Sequence, residues 1–526
     1  MRKILCAALA AVMLLCAAAC GQTPENGETM KNIIITDEKY GAVPDDENDD
    51  SQNIMNAVSE AKGKPVRIVI PNGEYRISQN ISIPENVTMF FDKGAYFYTD
   101  KDVTVTFDGC RIESSVQQLF AGDGRYDGHS PSEAYLQWLG ATANGKNVSD
   151  RIQMAVDIFD TVKLTPGSSN WAFDDVNITK PTTVIGEGQV RINVYHSSKK
   201  NVFNISSSDV TFKNLNFIGT GGNKGSAVFY FDTSKCSMSN ITIFNCFGQQ
   251  NGHAVKDAEN GTNHVSNFTM EVCAFTHCYE VGICTSDFSD GLVFRDVVID
   301  NVGFPVEISW AGWHLKNVTG AFMDNVDAAG GLGIGSGADG FIFENCRNIE
   351  IPRAMQDYVN GHGLVIKNCS DLHFSNFVCS LYEGCGIYME NVKDSTFDMV
   401  VANGIYPTIK TKDTRGWAYE AIKLVKCTGV TFNNLTMTDN QSDGITVEDS
   451  DHITVNSLVY ARCNGNCLVE SGTSDHNTYN GIVCNANHTG SKASVIIVGN
   501  DSRVNGASFN NRDAVSSVGP ATLKKG

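Results

Sequence analysis

From Asn214 to Asn480 one short phrase recurs: an apolar residue, one spacer, an Asn or Asp, and usually another apolar residue. Its rungs are Asn214, Asn240, Asn267, Asp296, Asn317, Asn345, Asn376, Asp398, Asn434, Asn456 and Asn480. The steps between them are 26, 27, 29, 21, 28, 31, 22, 36, 22 and 24 residues. A unit near 22 residues that tolerates insertions does not close around one core; it stacks on copies of itself. Within each unit apolar and polar residues alternate with the period of a strand, so the chain is expected to be an all-β solenoid of about 10–12 coils. Coils stacked ~4.8 Å apart let an Asn at a recurring turn bond to the Asn above and below it. The eleven rungs are therefore read as inward scaffolding and set aside from any site.

Stacking also accommodates 526 residues without one oversized core. The formal charge of -19 argues against nucleic-acid phosphates and anionic lipid as partners, both of which need clustered Lys and Arg. Met1-Arg2-Lys3 precedes an apolar run, Ile4 to Ala19, too short for a comfortable membrane span. The run ends in Ala17-Ala18-Ala19-Cys20-Gly21, which resembles a bacterial lipoprotein cleavage site with Ala17 where Leu is usual. The resemblance implies export, a signal peptide over residues 1–20, lipidation of Cys20, a tether over 21–31 and a place at the cell surface. An ordinary secretory signal cut nearby is the alternative. Of 17 cysteines three lie in the leader, and most others sit among Val, Ile and Phe inside the repeats. They are expected to stack as buried thiols and not to pair. No CxxC or HExxH spacing occurs, so no metal site is expected.

After the tether come Ile33-Ile34-Ile35, Tyr40-Gly41-Ala42-Val43-Pro44, an acidic turn, a helical stretch from Ile54 to Ala61, and Val66 to Ile70 followed by Pro71-Asn72-Gly73-Glu74-Tyr75. This series resembles the opening of the pectate-lyase-like superfamily of right-handed parallel β-helices. A weaker copy follows at Tyr135, Trp138 to Ala141, Asp150, Ile152 to Val156 and Val162 to Gly167. The resemblance implies a right-handed single-stranded parallel β-helix with short N-terminal capping helices. The expected division is an N-terminal β subdomain over 32–125, a main β-helix over 126–500 and a C-terminal tail over 501–526. It also implies action on carbohydrate, since the superfamily includes polygalacturonases, other glycosidases, pectate and alginate lyases and viral tailspikes.

One strand per coil aligns on a small or apolar first residue: HAVKDA from 253, VGICTS from 281, PVEISW from 305, GLGIGS from 331, GLVIKN from 363, GIYMEN from 386, AIKLVK from 421 and GITVED from 444. Alternation then places Lys256, Glu307, Lys367, Tyr388, Glu390, Lys423 and Glu448 on the outer face. Segments leading into these strands carry His253, Glu280, Asp357, His362 and Glu383, and two long insertions add Arg415 and Trp417. Together with Trp310, Trp313 and His314 they are expected to wall a sugar groove. Cleaving a glycosidic bond needs two carboxyls, about 5–5.5 Å apart for retention or about 6.5–9.5 Å for inversion. Glu307 with Glu280 and Asp357 with Glu383 are the candidate catalytic pairs. His253, Lys256, Asp257, Trp310, His362, Lys367, Tyr388, Glu390, Arg415, Trp417 and Lys423 are the candidate substrate contacts.

Gly361-His362-Gly363 resembles the Gly-His-Gly of polygalacturonases. That family's Asn-Thr-Asp, Asp-Asp and Arg-Ile-Lys phrases do not occur in the matching region, so its catalytic residues are not transferred. The function expected is a glycoside hydrolase without cofactor. The alternatives are a polysaccharide lyase with a Lys base, which could use Ca2+, and a non-catalytic glycan-binding surface protein of the tailspike or adhesin kind.

Overall fold

The computed structural model describes residues 30–194, 200–219, 225–249, 252–278, 282–300, 311–329, 339–359, 361–404, 420–440, 442–463, 465–485, 495–509, 515–517 and 522–524. Cys20, Glu280, Glu307, Trp310, Arg415 and Trp417 lie outside them. Among the described residues no helix is long and apolar enough to cross a membrane.

The chain forms two compact units, one comprising Met1–Ser115 and Phe120–Tyr126, the other Val116–Leu119 and Asp127–Gly526. In the first, a helix over Ser51–Ser59 buries Ile54, Ala57 and Val58. The strands Lys31–Ile34, Val66–Ile70, Val87–Phe91 and Arg111–Glu113 form one parallel sheet, and Gly73–Ile77, Ala95–Thr99 and Phe120–Gly122 a second. Phe91, Phe97, Phe107, Phe120 and Tyr126 pack between them.

A strand over Arg125–Tyr135 precedes a helix over Ser149–Ile158 in the second unit, whose chain then repeats two elements per turn. A short strand, such as Ile422–Val425, is followed by a long bent one, such as Thr431–Thr438. The short strands form a 14-stranded parallel sheet in strict sequence order, from Val176–Ile178 to Val515–Ser517. Each pairs only with the coil before and the coil after, which makes the whole an all-β parallel solenoid with two short α-helices. It has about 15 turns, more than the 10–12 expected, because coils continue beyond both ends of the Asn ladder. Strands Arg503–Phe509, Val515–Ser517 and Thr522–Lys524 carry the stack into the residues expected to form the tail.

Recurring left-handed turns explain the ladder and correct it. Asp209, Asn240, Asn267, Asn348, Asp371, Asp394, His452, His476 and Asp501 form one column of residues at positive φ. Asn214, Asn245, Asp296, Asn325 and Asn434 form a second; Asn317, Asn345, Asn368, Asn391, Lys426 and Asp449 a third. Asn and Asp recur there because their side chains tolerate that backbone region best after Gly. Seven of the eleven rungs are spread over these three columns, and Asn376, Asp398, Asn456 and Asn480 fall in none, hence the uneven steps. The amides do bond coil to coil, as in Asn240 Nδ2 to Asp209 Oδ1 at 2.9 Å and Asn345 Nδ2 to Asn317 Oδ1 at 3.2 Å. They do so on exposed turns and not inwardly.

The fourteen described cysteines are thiols, thirteen of them buried, in accord with stacking. Burial pushes the thiols of Cys246 and Cys379 well above their ordinary range, which leaves them unreactive.

Candidate active site

The corner where each long strand ends and the next short strand begins is where side chains with chemistry collect. On the outer face of the long sheet, Val298 pairs with Asp327 and Asp327 with Met355; two residues further on, Asp300 pairs with Ala329 and Ala329 with Asp357. Asp327 therefore sits diagonally between Asp300 and Asp357, one coil from each. A 4.8 Å coil spacing and a rise of 3.3 Å per residue put each Cα pair about 8 Å apart. Flanked by Val298 and Met355, the Asp327 carboxyl is pushed up to about 6, by burial first and then by the charges of Asp357 and Asp300. Its Oδ1 is closed to solvent and accepts no hydrogen bond among the described residues.

The first position of the short strands forms a second column along the same corner. The His362 N–H donates to Asp339 Oδ1 at 2.6 Å, and the Cys385 N–H to His362 Nδ1 at 2.9 Å. The second bond makes the neutral ring the Nε2–H tautomer. The Cys385 thiol lies 3.7 Å from Glu420 Oε2. Burial pushes Asp339 up to about 7, opposed by the His362 N–H and the Lys367 charge. Burial and then Lys367 bring His362 down to about 4, so its ring is neutral at pH 7.

Outward positions of the short sheet carry the charges. Lys316, Glu344, Lys367 and Glu390 follow one another on four successive strands, an alternating row of opposite charges. Beside it run His314 and, further along, Tyr388 and Lys423. His314 Nε2 is 3.3 Å from Glu344 Oε2, the Tyr388 hydroxyl donates to Glu390 at 3.3 Å, and Lys423 Nζ is 3.5 Å from Glu448. The His362 and Tyr388 rings lie 5.5 Å apart. Burial and then Glu390 push the Tyr388 hydroxyl up to about 12.

The expected contacts His362, Lys367, Tyr388, Glu390 and Lys423 are thus brought together. Lys256 is outward too, but five strands from Tyr388 in the same row, ~24 Å away at 4.8 Å per coil. Asp257 is no surface ligand: it is wholly buried, and its Oδ2 accepts the Ser286 and Asp287 N–H groups at 2.6 and 2.7 Å. His253 is buried as well. Asp357 lies opposite Ser380, with Glu383 three residues further on, just past the end of the strand Phe377–Tyr382, so its diagonal partner is Asp327 and not Glu383.

The expected strands from 305 and 331 lie outside the described residues. The strand that pairs with Ile283–Thr285 is Ala311–Lys316, and the next is Asp339–Glu344. Trp313 walls no groove: it is fully buried, stacked on Phe341, and its Nε1 donates to the Asp327 carbonyl at 2.9 Å. Sequence reading missed Asp300, Asp327, Asp339, Lys316 and Glu344. For Lys316 and Glu344 the signal is the left-handed Asn that directly follows each, Asn317 and Asn345.

Asp257, Asp327 and Asp339 have folded-state values near 6, 6 and 7, above the ordinary 3.8. A raised carboxyl holds its proton more tightly when folded, so its stabilising effect is complete below pH ~4 and disappears as pH rises through 6–7. The melting midpoint is expected to climb from pH 8 to pH 5. Asp339→Asn should flatten that slope and raise the midpoint at pH 8, with a gain in stability of at most about 4 kcal/mol and less for the part of the carboxyl that water reaches. A scan of thermal unfolding against pH decides it; a wild-type midpoint that falls between pH 8 and pH 5 sinks it.

Residues 35–307, half of the chain, match the family model described as rhamnogalacturonase A/epimerase, pectate lyase-like. No curated protein matches the chain. Among solved structures, the enzymatically active domain of bacteriophage CBA120 tailspike protein 2 is 12% identical with a TM-score of 0.36, over 71% of this chain and 51% of its own. The chain thus spans about half the length of that domain. The A-module of mannuronan C-5 epimerase AlgE6 from Azotobacter vinelandii is 11% identical with a TM-score of 0.24, over 93% of this chain and 97% of its own. The adhesin PfbA of Streptococcus pneumoniae is 13% identical with a TM-score of 0.26, over 84% and 99%. These likenesses concern the fold alone. By the family match, with the parallel coils to go with it, the chain belongs to the rhamnogalacturonase A/epimerase, pectate lyase-like family.

Proposed function

We propose that this protein is a carbohydrate-active enzyme that hydrolyses glycosidic bonds of a poly- or oligosaccharide between paired carboxylates. The observation that carries the reading is Asp327, a carboxyl raised to about 6 between two other aspartates on adjacent coils. A group so tuned holds its proton near neutral pH and can deliver it to a leaving oxygen. Asp300 or Asp357 then activates water from the other side. A Cα spacing of about 8 Å is compatible with the roughly 6.5–9.5 Å between carboxyls associated with inversion. On the short sheet, the Tyr388 ring offers a face for a pyranose, and Lys367, Lys423 and Glu390 offer partners for hydroxyls.

A second reading is favoured by Lys367 beside the half-titrated Asp339 and by a family whose description includes epimerases. Proton abstraction next to a uronate carboxylate, with a cation to neutralise it, would lead to elimination or to inversion at that carbon. Incubation with a panel of neutral and uronate glycans separates the readings. New reducing ends without an unsaturated product support hydrolysis. An unsaturated uronate supports elimination, and an inverted uronate without cleavage supports epimerisation. Binding without any product would leave a glycan-binding protein and overturn both.

A further inference from the structure

Two histidines occupy the same turn on successive coils, far along the chain from the carboxylates above. His452 and His476 both sit in the left-handed region at φ 55°. Their rings stack nearly parallel, with centroids 5.2 Å apart and 12° between planes. Both face one carboxylate: Nδ1 of His452 lies 2.9 Å from Asp451 Oδ2, and Nδ1 of His476 lies 3.4 Å from Asp451 Oδ1. That Oδ1 is closed to solvent and accepts no hydrogen bond among the described residues, although the turn is exposed. One coil further on, Asp501 places Oδ2 3.9 Å from His476 Nε2.

The backbone beneath is pinned. Asp451 N–H donates to the Cys427 carbonyl at 2.9 Å, His452 N–H to the Asp475 carbonyl at 3.3 Å, and Asp451 forms a β-bridge with Asp475. The Asp475 carboxylate is already engaged, accepting the Asn500 N–H at 2.7 Å. The ligand atoms of Asp451, His452 and His476 all lie within 4.8 Å of one another. Small rotations of exposed side chains on a fixed backbone would bring them to one ion.

We propose that Asp451, His452 and His476 bind a divalent transition-metal ion, with Asp501 or water completing its shell. Two imidazoles and one carboxylate suit Zn2+, Co2+ or Ni2+, whereas Ca2+ and Mg2+ take shells of oxygen alone. The ion would tie the turn at 451–452 to the turn at 475–476, adding a link between these two coils. Binding requires both imidazoles to be neutral, so it weakens on acidification and releases any proton they hold.

The test uses the whole protein and the metal alone. Titration with Co2+ is expected to develop visible d–d absorption that saturates at one ion per chain. Calorimetry with Zn2+ should show the same stoichiometry, with no heat from Ca2+ or Mg2+. His452→Ala and His476→Ala should each weaken binding by about tenfold or more, and the double variant should abolish it while keeping its circular-dichroism spectrum. His373→Ala, which alters another exposed His–Asp contact, should bind as the wild type does. Absence of the Co2+ bands at neutral pH overturns the proposal. So does their persistence in the double variant, and so does the intense ultraviolet absorption of cobalt thiolates, which would assign the ion to the cysteines.

Discussion

Asp327→Asn is expected to lower glycan turnover by about 10²–10⁴-fold, the range for loss of a positioned general acid. The same substitution should leave the melting midpoint unchanged or higher at pH 7.5. The folded protein holds this carboxyl near pH 6, so at higher pH it buries a charge that Asn lacks. Loss of activity with no loss of stability distinguishes a catalytic part from a structural one. The pH profile gives a second readout. The basic limb of kcat/KM should follow deprotonation of Asp327, and Asp357→Asn should move that limb to lower pH by removing the like charge that raises it more. Wild-type turnover by Asp327→Asn would remove this carboxyl from the chemistry. A profile unmoved by Asp357→Asn would break the link between the two coils.

How much of this was legible depends on how far apart along the chain the causes lie. The solenoid was legible because its signal is local and repeated. Left-handed turns favour Asn and Asp, and buried positions alternate with outward ones. The register was legible only where the insertion before the short strand is short or ends close to it. Aligning on the first small residue worked at Gly363, Gly386, Ala421 and Gly444, which directly precede the paired strands Leu364–Lys367, Ile387–Glu390, Ile422–Val425 and Ile445–Glu448. The stretches from 305 and 331 lie outside the described residues, and the paired strands of those coils are Ala311–Lys316 and Asp339–Glu344. Counting back from Asn317 and Asn345, the turn residues that close those strands, would have kept the register.

Gly361-His362-Gly363 shows the opposite hazard, a phrase that resembles catalysis and has a local structural cause. A Cβ on Gly363 would stand 2.1 Å from Cys379 Sγ and 2.7 Å from the Gly386 carbonyl, so only glycine fits. His362 meanwhile receives the Cys385 N–H. Buried acids were the least legible. Asp257 looked like a ligand because, apart from the Glu259 N–H, the groups it accepts belong to Ser286 and Asp287, a full coil away. Nothing in its own neighbourhood in the sequence records them.

Glu470 takes that argument furthest. It occupies an inward position of the strand Leu468–Ser471, opposite Val447 of the preceding coil, and is 1% exposed. Its Oε1 accepts Asn477 Nδ2 at 2.9 Å and the Tyr479 hydroxyl at 2.7 Å. Its Oε2 accepts the Val498 and Gly499 N–H groups at 3.2 and 3.1 Å. One side chain therefore satisfies four donors drawn from its own coil and the next. Burial and the adjacent carboxylate push the Tyr479 hydroxyl well above its ordinary range, so it remains a donor. Glu470→Ala leaves all four donors in the interior without this acceptor and is expected to destabilise by about 3–5 kcal/mol. Glu470→Gln keeps one acceptor oxygen but turns an amide toward two donors, and should fall between, at about 1–3 kcal/mol. Because coils contact only their neighbours, the damage should stay local. Hydrogen exchange is expected to lose protection over residues 465–509 and to keep it in the coils that carry Asp327 and Asp357, with glycan turnover retained. An Ala variant that melts and exchanges like the wild type would show that these four bonds contribute little. Loss of protection along the whole chain would instead mean that the solenoid unfolds as one unit.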